Sequence, residues 1–152
     1  SGAFSNPRSH IYYLPELYSA YFGRCYAAFS ALPVSAQRAI DPDGSFAFIR
    51  ARVLAYVEGE MITHEMNAFD AALALMALAH LGAEVSSFTP ALHVIVATLG
   101  EGGRYGPYKA YEWNKMKTPT RILVGGPEVT SAFVLMGLAL ARRAMRDGSR
   151  PA

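Results

Sequence analysis

Acidic and imidazole side chains suited to acid–base chemistry lie in two parts of the sequence. Glu60 and His64 are four residues apart in "EGEMITHE", so a helix would place them one turn apart. That spacing suits a metal site or a base with its orienting acid, although such pairs are also common on solvated helix ends. Asp70 and Glu128 each stand at the start of an alanine- and leucine-rich run. We predict His64, Asp70 and Glu128 as catalytic residues.

The starts of these two apolar runs also suggest a place for a substrate oxygen. Thr130 follows Glu128 by two residues, and the unpaired N–H groups of a helix start favour an anion or a polarised oxygen. We therefore predict that Thr130 contacts substrate. The alternative is that Asp70 and Thr130 are first-turn residues that serve only their own helices.

The connection between residues 100 and 126 is rich in polar and aromatic residues. It is longer than a simple turn in a compact domain, and loops of this length usually have a function. Its aromatic rings could contact the apolar part of a substrate while its basic side chains bind an anionic head group. Alternatively, the rings could only pack on the helices. Interleaved rings and bases also suit single-stranded nucleic acid, but the net charge is only +2, so no nucleic-acid partner is predicted. The predicted substrate-binding residues here are Tyr105, Tyr108, Tyr111, Trp113, Lys115 and Arg121.

The length and composition of the chain indicate one domain with a real core. A chain of 152 residues buries roughly 70% of the surface that it exposes when unfolded. The longest apolar stretches, 71–79 and 129–141, are shorter than the roughly 20 residues of a bilayer-spanning helix, so no membrane span is predicted. The single cysteine, Cys25, forbids an intrachain disulfide and fits a reducing compartment, which favours the cytoplasm.

Capping and breaking residues predict a series of helices. Pro15 suits a first helical position, Gly82 suits a left-handed C-terminal residue, and Gly126 precedes a second first-turn proline. The segment 46–57 is ambiguous, because β-branched and aromatic residues compete with a partly helical pattern, and we interpret it as helix. The predicted helices span about 15–32, 46–57, 65–81, 89–100 and 127–145.

Two of these helices have closely similar sequences. The segment "NAFDAALALMALAHLG" begins at Asn67, and "EVTSAFVLMGLALARR" begins at Glu128; with Asp70 aligned to Thr130, five of ten positions are identical. Before each copy lies a glycine followed two residues later by an aromatic residue, in "DGSF" and "GGRY". Two similar units at one period are typical of a helical repeat, whose neighbouring units bury faces that no unit can bury alone.

These segments resemble the α/α-toroid repeat of squalene-hopene-type terpenoid cyclases and of prenyltransferase β subunits. "LHVIVATLGEGGRYG" is similar to the Q-x-x-x-G-x-W signature of the cyclases, with Tyr105 in place of Trp and no Gln. The resemblance implies an all-α fold of tandem helical hairpins that is incomplete, with about two repeats around a shared hollow. It covers roughly 16–145 and implies one domain, 1–152, with repeats at about 16–82 and 88–145.

The sequence also departs from this family at its chemical motifs. It has no D-x-D-D cluster, the motif with which the cyclases protonate their substrate. Asp70 is followed by Ala71 and Ala72, so the cysteine that helps to hold zinc in the prenyltransferases is missing. We therefore predict no metal and no cofactor.

Two functions of different classes follow from the resemblance. The first is a domain or part of an enzyme that binds an isoprenoid or other apolar substrate in an aromatic-lined cavity, where ring faces would stabilise carbocation charge. The alternative is a non-catalytic helical-repeat module for protein–protein interaction. Because two units do not close a toroid, we also expect a homo-oligomer or a missing partner chain.

Overall fold

The computed structural model describes residues 11–12, 15–61, 66–106, 112–114, 121–123 and 126–148. In this part of the chain six α-helices form the body of the fold, which confirms the predicted all-α class. A π-helical turn follows the third helix and a short 3₁₀ turn precedes the fifth. The helices are α1 (Pro15–Ser30), α2 (Val34–Ile40), α3 (Ser45–Tyr56), α4 (Ala68–Leu81), α5 (Thr89–Ala97) and α6 (Pro127–Gly148).

Most helix limits lie within a few residues of those expected from the punctuating residues. The ambiguous segment 46–57 is helical, as α3. Gly82 ends α4 with φ 65°, the left-handed conformation that a side chain would strain, and its N–H donates to the carbonyl of Leu78. α5 stops at Ala97, short of the expected Gly100.

The described residues also include a small antiparallel sheet, which was not predicted. It consists of β1 (Ile11–Tyr12), β2 (Glu112–Asn114) and β3 (Arg121–Leu123), in the order β1-β2-β3. Trp113 pairs with Ile11 on one side and with Ile122 on the other. The sheet therefore ties the beginning of the chain to the long connection before α6.

α4 is the centre of the core. All residues from Ala68 to Leu78 are buried except Asp70, which is half-buried. A helix that is apolar on every side must have neighbours on every side, and α4 packs against α1, α3, α5 and α6. Among the described residues no helix is long and apolar enough to cross a membrane.

α1 and α6 pack on α4 in the same chain direction as α4. On α1, Ala20 clusters with Phe69 and Leu73, and Gly23 comes close to the carbonyl of Ala77 further along. α6 follows the same order: Phe133 contacts Phe69, with ring centroids 5.0 Å apart, and Gly137 lies over Ala72. The three helices thus form one parallel layer in which all three begin at the same end.

α3 runs antiparallel to this layer. Near its start, Phe46 packs edge-on against Phe29, late in α1, with ring centroids 4.9 Å apart. Arg50, in the middle of α3, donates from Nε to the carbonyl of Leu81 at 2.8 Å and so satisfies an orphan carbonyl at the end of α4. At its other end, the hydroxyl of Tyr56 reaches Glu16 at the start of α1.

In the two predicted repeats, α4 and α6 are arranged alike, but the segments that follow the equivalent glycines, Gly44 and Gly103, differ. α4 and α6 are parallel and begin at one end, as stacked repeats require. Gly44, with φ 70°, directly precedes α3. Its predicted equivalent, Gly103, also has a positive φ of 73°, yet residues 104–106 after it are not helical. The toroid arrangement is not confirmed, and the repeats at 16–82 and 88–145 stay a prediction.

Candidate functional site

An open apolar groove runs between α1 and α6, with α4 as its floor. It is lined by residues of α1, α4 and α6 and has a volume of about 60 Å³. Leu73 is completely buried at its base, whereas Tyr21 and Met136 are exposed at its rims. The principal apolar side chains of the groove are Leu17, Tyr21, Leu73, Met76, Phe133 and Met136.

A second cavity continues the groove toward the helix ends. It has a volume of about 310 Å³, and its apolar lining comes from Ala27, Ala79, Leu140 and Ala144. Each of these residues lies one or two turns beyond a groove residue of the same helix. From Leu17 to Ala27 the two cavities extend about 15 Å along α1, at about 1.5 Å per residue. The two cavities share no lining residue but follow one another along α1, α4 and α6, and we call the pair the furrow.

Basic groups lie at the far end of this furrow. Arg24 lines the groove, and His80 and Arg143 line the second cavity. Burial and then the charge of Arg24 lower the pKa of His80, which favours its neutral imidazole. Arg143 lies 3.7 Å from Asp147 in an exposed ion pair, which contributes little to stability.

Acidic groups surround a buried hydroxyl at the opposite end, where the three helices begin. The Tyr56 hydroxyl donates to Oε1 of Glu16 at 3.1 Å. Burial, followed by the charges of Glu16, Glu60 and Asp70, raises the pKa of Tyr56 above its ordinary value. The phenol therefore keeps its proton in the folded protein and serves as a hydrogen-bond donor between α3 and α1.

Alkaline pH should destabilise the protein in part through Tyr56. The unfolded chain releases this proton near the ordinary pKa of about 10, whereas the folded protein retains it. The contribution of Tyr56 to stability is therefore complete below about pH 10 and is lost as the pH rises further. Urea unfolding between about pH 9 and about pH 11 should show a shallower fall in unfolding free energy for Tyr56→Phe than for the wild type.

Part of this fall should persist in the Tyr56→Phe variant, because burial also raises the pKa of Tyr105. Equal slopes for the variant and the wild type would contradict the assignment to Tyr56. Tyr105→Phe provides a comparison, since its ring is only partly buried and no acid contributes to its shift.

Asp70 lies in the first turn of α4 and interacts with the residue that caps this helix. The side chain of Asn67 accepts a hydrogen bond from the backbone N–H of Asp70 at 3.0 Å. Its Nδ2 also donates to Oδ2 of Asp70 at 2.7 Å. This reciprocal pair satisfies an orphan donor of the helix start, as a capping box does. The catalytic role of Asp70 stays a prediction.

Glu128 and Thr130 lie at the same end, in the first turn of α6. Thr130 is buried, and both its N–H and its hydroxyl donate to the carbonyl of Gly126, at 3.1 and 3.4 Å. Glu128 is exposed, and its carboxylate folds back toward Gly126. The parallel packing of α4 and α6 therefore brings Asp70 and Thr130 to one end, each bonded within its own helix.

The residues predicted in the long connection are only partly described. Tyr105 is partly buried against the main core and does not line the furrow. Trp113 and Arg121 lie in β2 and β3, where only the backbone is described. Four predicted residues lie outside the described part of the chain: His64, Tyr108, Tyr111 and Lys115.

The groove itself was missed because its residues come from three helices far apart in sequence. A signal was present, since Leu17, Tyr21 and Arg24 recur at the three- and four-residue spacing of one helix face. Phe133 and Met136 repeat that spacing in α6. Such a pattern predicts a packed face, and only the tertiary arrangement makes these faces border a furrow.

The described residues include no group of three or more His, Cys, Asp or Glu side chains that could hold a metal ion. The furrow is lined mainly by apolar side chains. The acids around Tyr56 lie beyond one end, and Arg24, His80 and the Arg143–Asp147 ion pair lie toward the other. No protein-family model, curated protein or solved structure matches the chain. The resemblance to the toroid family therefore rests on the sequence patterns alone, and the function has to be inferred from the furrow.

Proposed function

We propose that the chain is a domain, or a part, of an enzyme resembling terpenoid cyclases and prenyltransferases. In this proposal an isoprenoid or other apolar substrate lies along the furrow between α1 and α6. The observation that carries the proposal is the apolar groove over α4, with Tyr21 and Phe133 on opposite sides. A second support is the parallel layer of α1, α4 and α6, with α3 returning antiparallel behind it.

The dimensions and the lining of the furrow suit such a ligand. Small-molecule sites typically measure about 300–1,000 Å³ and are mainly apolar, and the two cavities together reach this range. Each Å² of apolar ligand surface removed from water contributes about 25 cal/mol. Met76 and Met136 have flexible, polarisable side chains that adapt to irregular hydrocarbon shapes. The ring faces of Tyr21 and Phe133 would attract developing positive charge.

The acid–base part of the proposal concerns the end at which the helices begin. Asp70 lies one helical turn before Leu73, the buried residue at the base of the groove. In the proposal Asp70 and Glu128 provide the polar groups next to the reacting end of the substrate. The positive ends of α4 and α6 at this place favour negative charge or a polarised oxygen.

The proposal is tested by blocking the groove without disturbing the core. Met136 is 46% exposed at the rim, so Met136→Trp should fill the groove and leave the fold intact. Farnesol or a non-hydrolysable farnesyl diphosphate analogue should raise the melting temperature of the wild type. A ligand present at 100 times its Kd raises the free energy of unfolding by about 2.7 kcal/mol. Each kcal/mol raises the melting temperature of a chain of this size by roughly 2–4 °C. The rise should be absent in Met136→Trp.

Val85→Trp is the matched control for this experiment. Val85 is 45% exposed, close to Met136, but it lies in the 3₁₀ turn before α5 and does not line the furrow. This variant should respond to the ligand as the wild type does. A wild type that shows no rise with either ligand, or two variants that lose the rise equally, would contradict binding in the groove.

A second candidate is the non-catalytic module that binds another protein chain. The observation that favours it is the row of exposed apolar side chains on α6, which includes Val129 and Leu135. Absence of any ligand response together with stable association with another chain would favour this module over the enzyme.

A further inference from the structure

Two exposed apolar stripes border the parallel helix layer, one on α1 and one on α6. Their members recur at three- and four-residue spacing, so each stripe occupies one helix face. Contiguous apolar surface of this kind commonly marks an interaction site. The α1 edge consists of Tyr21, Cys25 and Ala28, with Leu32 in the turn after the helix, and the α6 edge consists of Val129, Ala132, Leu135, Met136 and Ala139; all are exposed.

Apart from Tyr21 and Met136, which also border the groove over α4, the edge residues lie on the faces of α1 and α6 that point away from α4. α1 approaches α4 through Ala20 and Gly23, and the rest of its edge lies on the opposite side of that helix. α6 approaches α4 through Phe133 and Gly137, again opposite the rest of its edge. Within the chain, each neighbouring pair in the layer is parallel and meets closely at a glycine. Among the described residues, therefore, no further helix covers these outer faces of α1 and α6.

We propose that a second copy of this chain covers these edges, with the α6 edge of one copy packed against the α1 edge of the next. The two edges differ in sequence and shape, so the contact is head-to-tail. Each copy keeps one edge available after the first contact, so further copies can add, to a ring where the rotation between copies closes and to an open filament where it does not. The contact does not require a ligand. It shares Tyr21 and Met136 with the groove of the function proposed above, so its test uses residues that do not line the furrow.

The charges near the two edges favour a parallel contact, like those inside the layer. The last turns of α6 carry exposed Arg142 and Arg146. The last turn of α1 contains no base, and exposed Asp43 lies close to the end of α1, three residues before Phe46, which packs on Phe29. A parallel contact places the arginines beside the negative end of the α1 dipole, whereas an antiparallel contact places them beside its positive end.

Two single substitutions test the head-to-tail contact, each blocking one edge with a charge. Leu135→Glu blocks the α6 edge, and Ala28→Glu blocks the α1 edge. Sedimentation velocity over a range of concentrations should show that the wild type associates. Each variant alone should have a dissociation constant at least about tenfold higher, because a carboxylate enters an apolar contact. An equimolar mixture of the two variants should form a 1:1 dimer, since one unblocked edge of each kind remains.

Val34→Glu is the matched control, because Val34 is 62% exposed, close to the 68% of Leu135, but lies on α2 and belongs to neither edge. It should associate like the wild type, and at a protein concentration low enough for the monomer all variants should keep the wild-type unfolding midpoint. Three outcomes would overturn the proposal: a monomeric wild type at every concentration, single variants that associate normally, or a mixture that stays monomeric. A wild-type monomer that binds only an added partner protein would assign the edges to that partner instead.

Discussion

Replacement of Gly137 by alanine should lower the free energy of unfolding by about 1–3 kcal/mol, the usual cost of inserting a methyl group into a tight contact. A Cβ at this position would lie 2.9 Å from the carbonyl oxygen of Ala72 and 3.3 Å from its Cα. Both atoms belong to the backbone of α4, so no side chain can rotate away. α6 would have to move off α4, which loosens the main contact of the layer. Urea or guanidinium unfolding measures the change.

Gly59→Ala is the control for the Gly137 variant. Gly59 also lies in a helical segment, but a Cβ there would meet no atom within 4 Å. Alanine loses less backbone entropy than glycine on folding, so this variant should be unchanged or more stable by about 0.4–1 kcal/mol. If Gly137→Ala were equally harmless, the close approach of α6 to α4 would be wrong.

The second large effect concerns two leucines that occupy equivalent positions in the aligned segments. Leu75→Ala should lower the free energy of unfolding by about 2–5 kcal/mol, because it leaves a cavity in a fully packed core. Leu135→Ala should change it by less than about 0.5 kcal/mol, as surface substitutions usually do. Leu75 is 0% exposed in α4, whereas Leu135 is 68% exposed in α6. Chemical denaturation of both variants at low protein concentration makes the comparison.

Low concentration matters because the contact proposed between copies would bury Leu135. If Leu135→Ala were as damaging as Leu75→Ala in the monomer, α6 would have to be enclosed on both sides within one chain. If neither variant were destabilised, α4 could not be the centre of the core.

The sequence predicted the helices well because local residues determine where a helix begins and ends. Gly82 ends α4 where a left-handed residue was expected, and Pro127 begins α6. The burial of each helix was not predictable in the same way. Leu75 and Leu135 stand in nearly the same local sequence, and their exposure differs because α4 has neighbours on all sides while α6 borders the layer. The short strands were missed because two or three residues are too few for a periodic signal.

The candidate site was harder to predict than the fold. The sequence patterns predicted site residues at the starts of two helices, and Asp70 and Thr130 do lie at the same end of the parallel layer. The furrow, however, is formed by Leu17, Met76 and Phe133, which meet only because three distant helices pack side by side. The Tyr56–Glu16 hydrogen bond is likewise a long-range contact that joins the end of α3 to the start of α1. Local sequence patterns do not predict such long-range contacts.

The central position of α4 has a consequence for how the chain is made. On the ribosome α4 is synthesised well before α6. At about 5–20 residues per second, the face of α4 that α6 later covers stays uncovered for on the order of several seconds. During this interval α1, α3 and α5 can shield only part of α4. Nascent chains paused before α6 should therefore be substrates for chaperones, and release of α6 should make the whole layer fold at once.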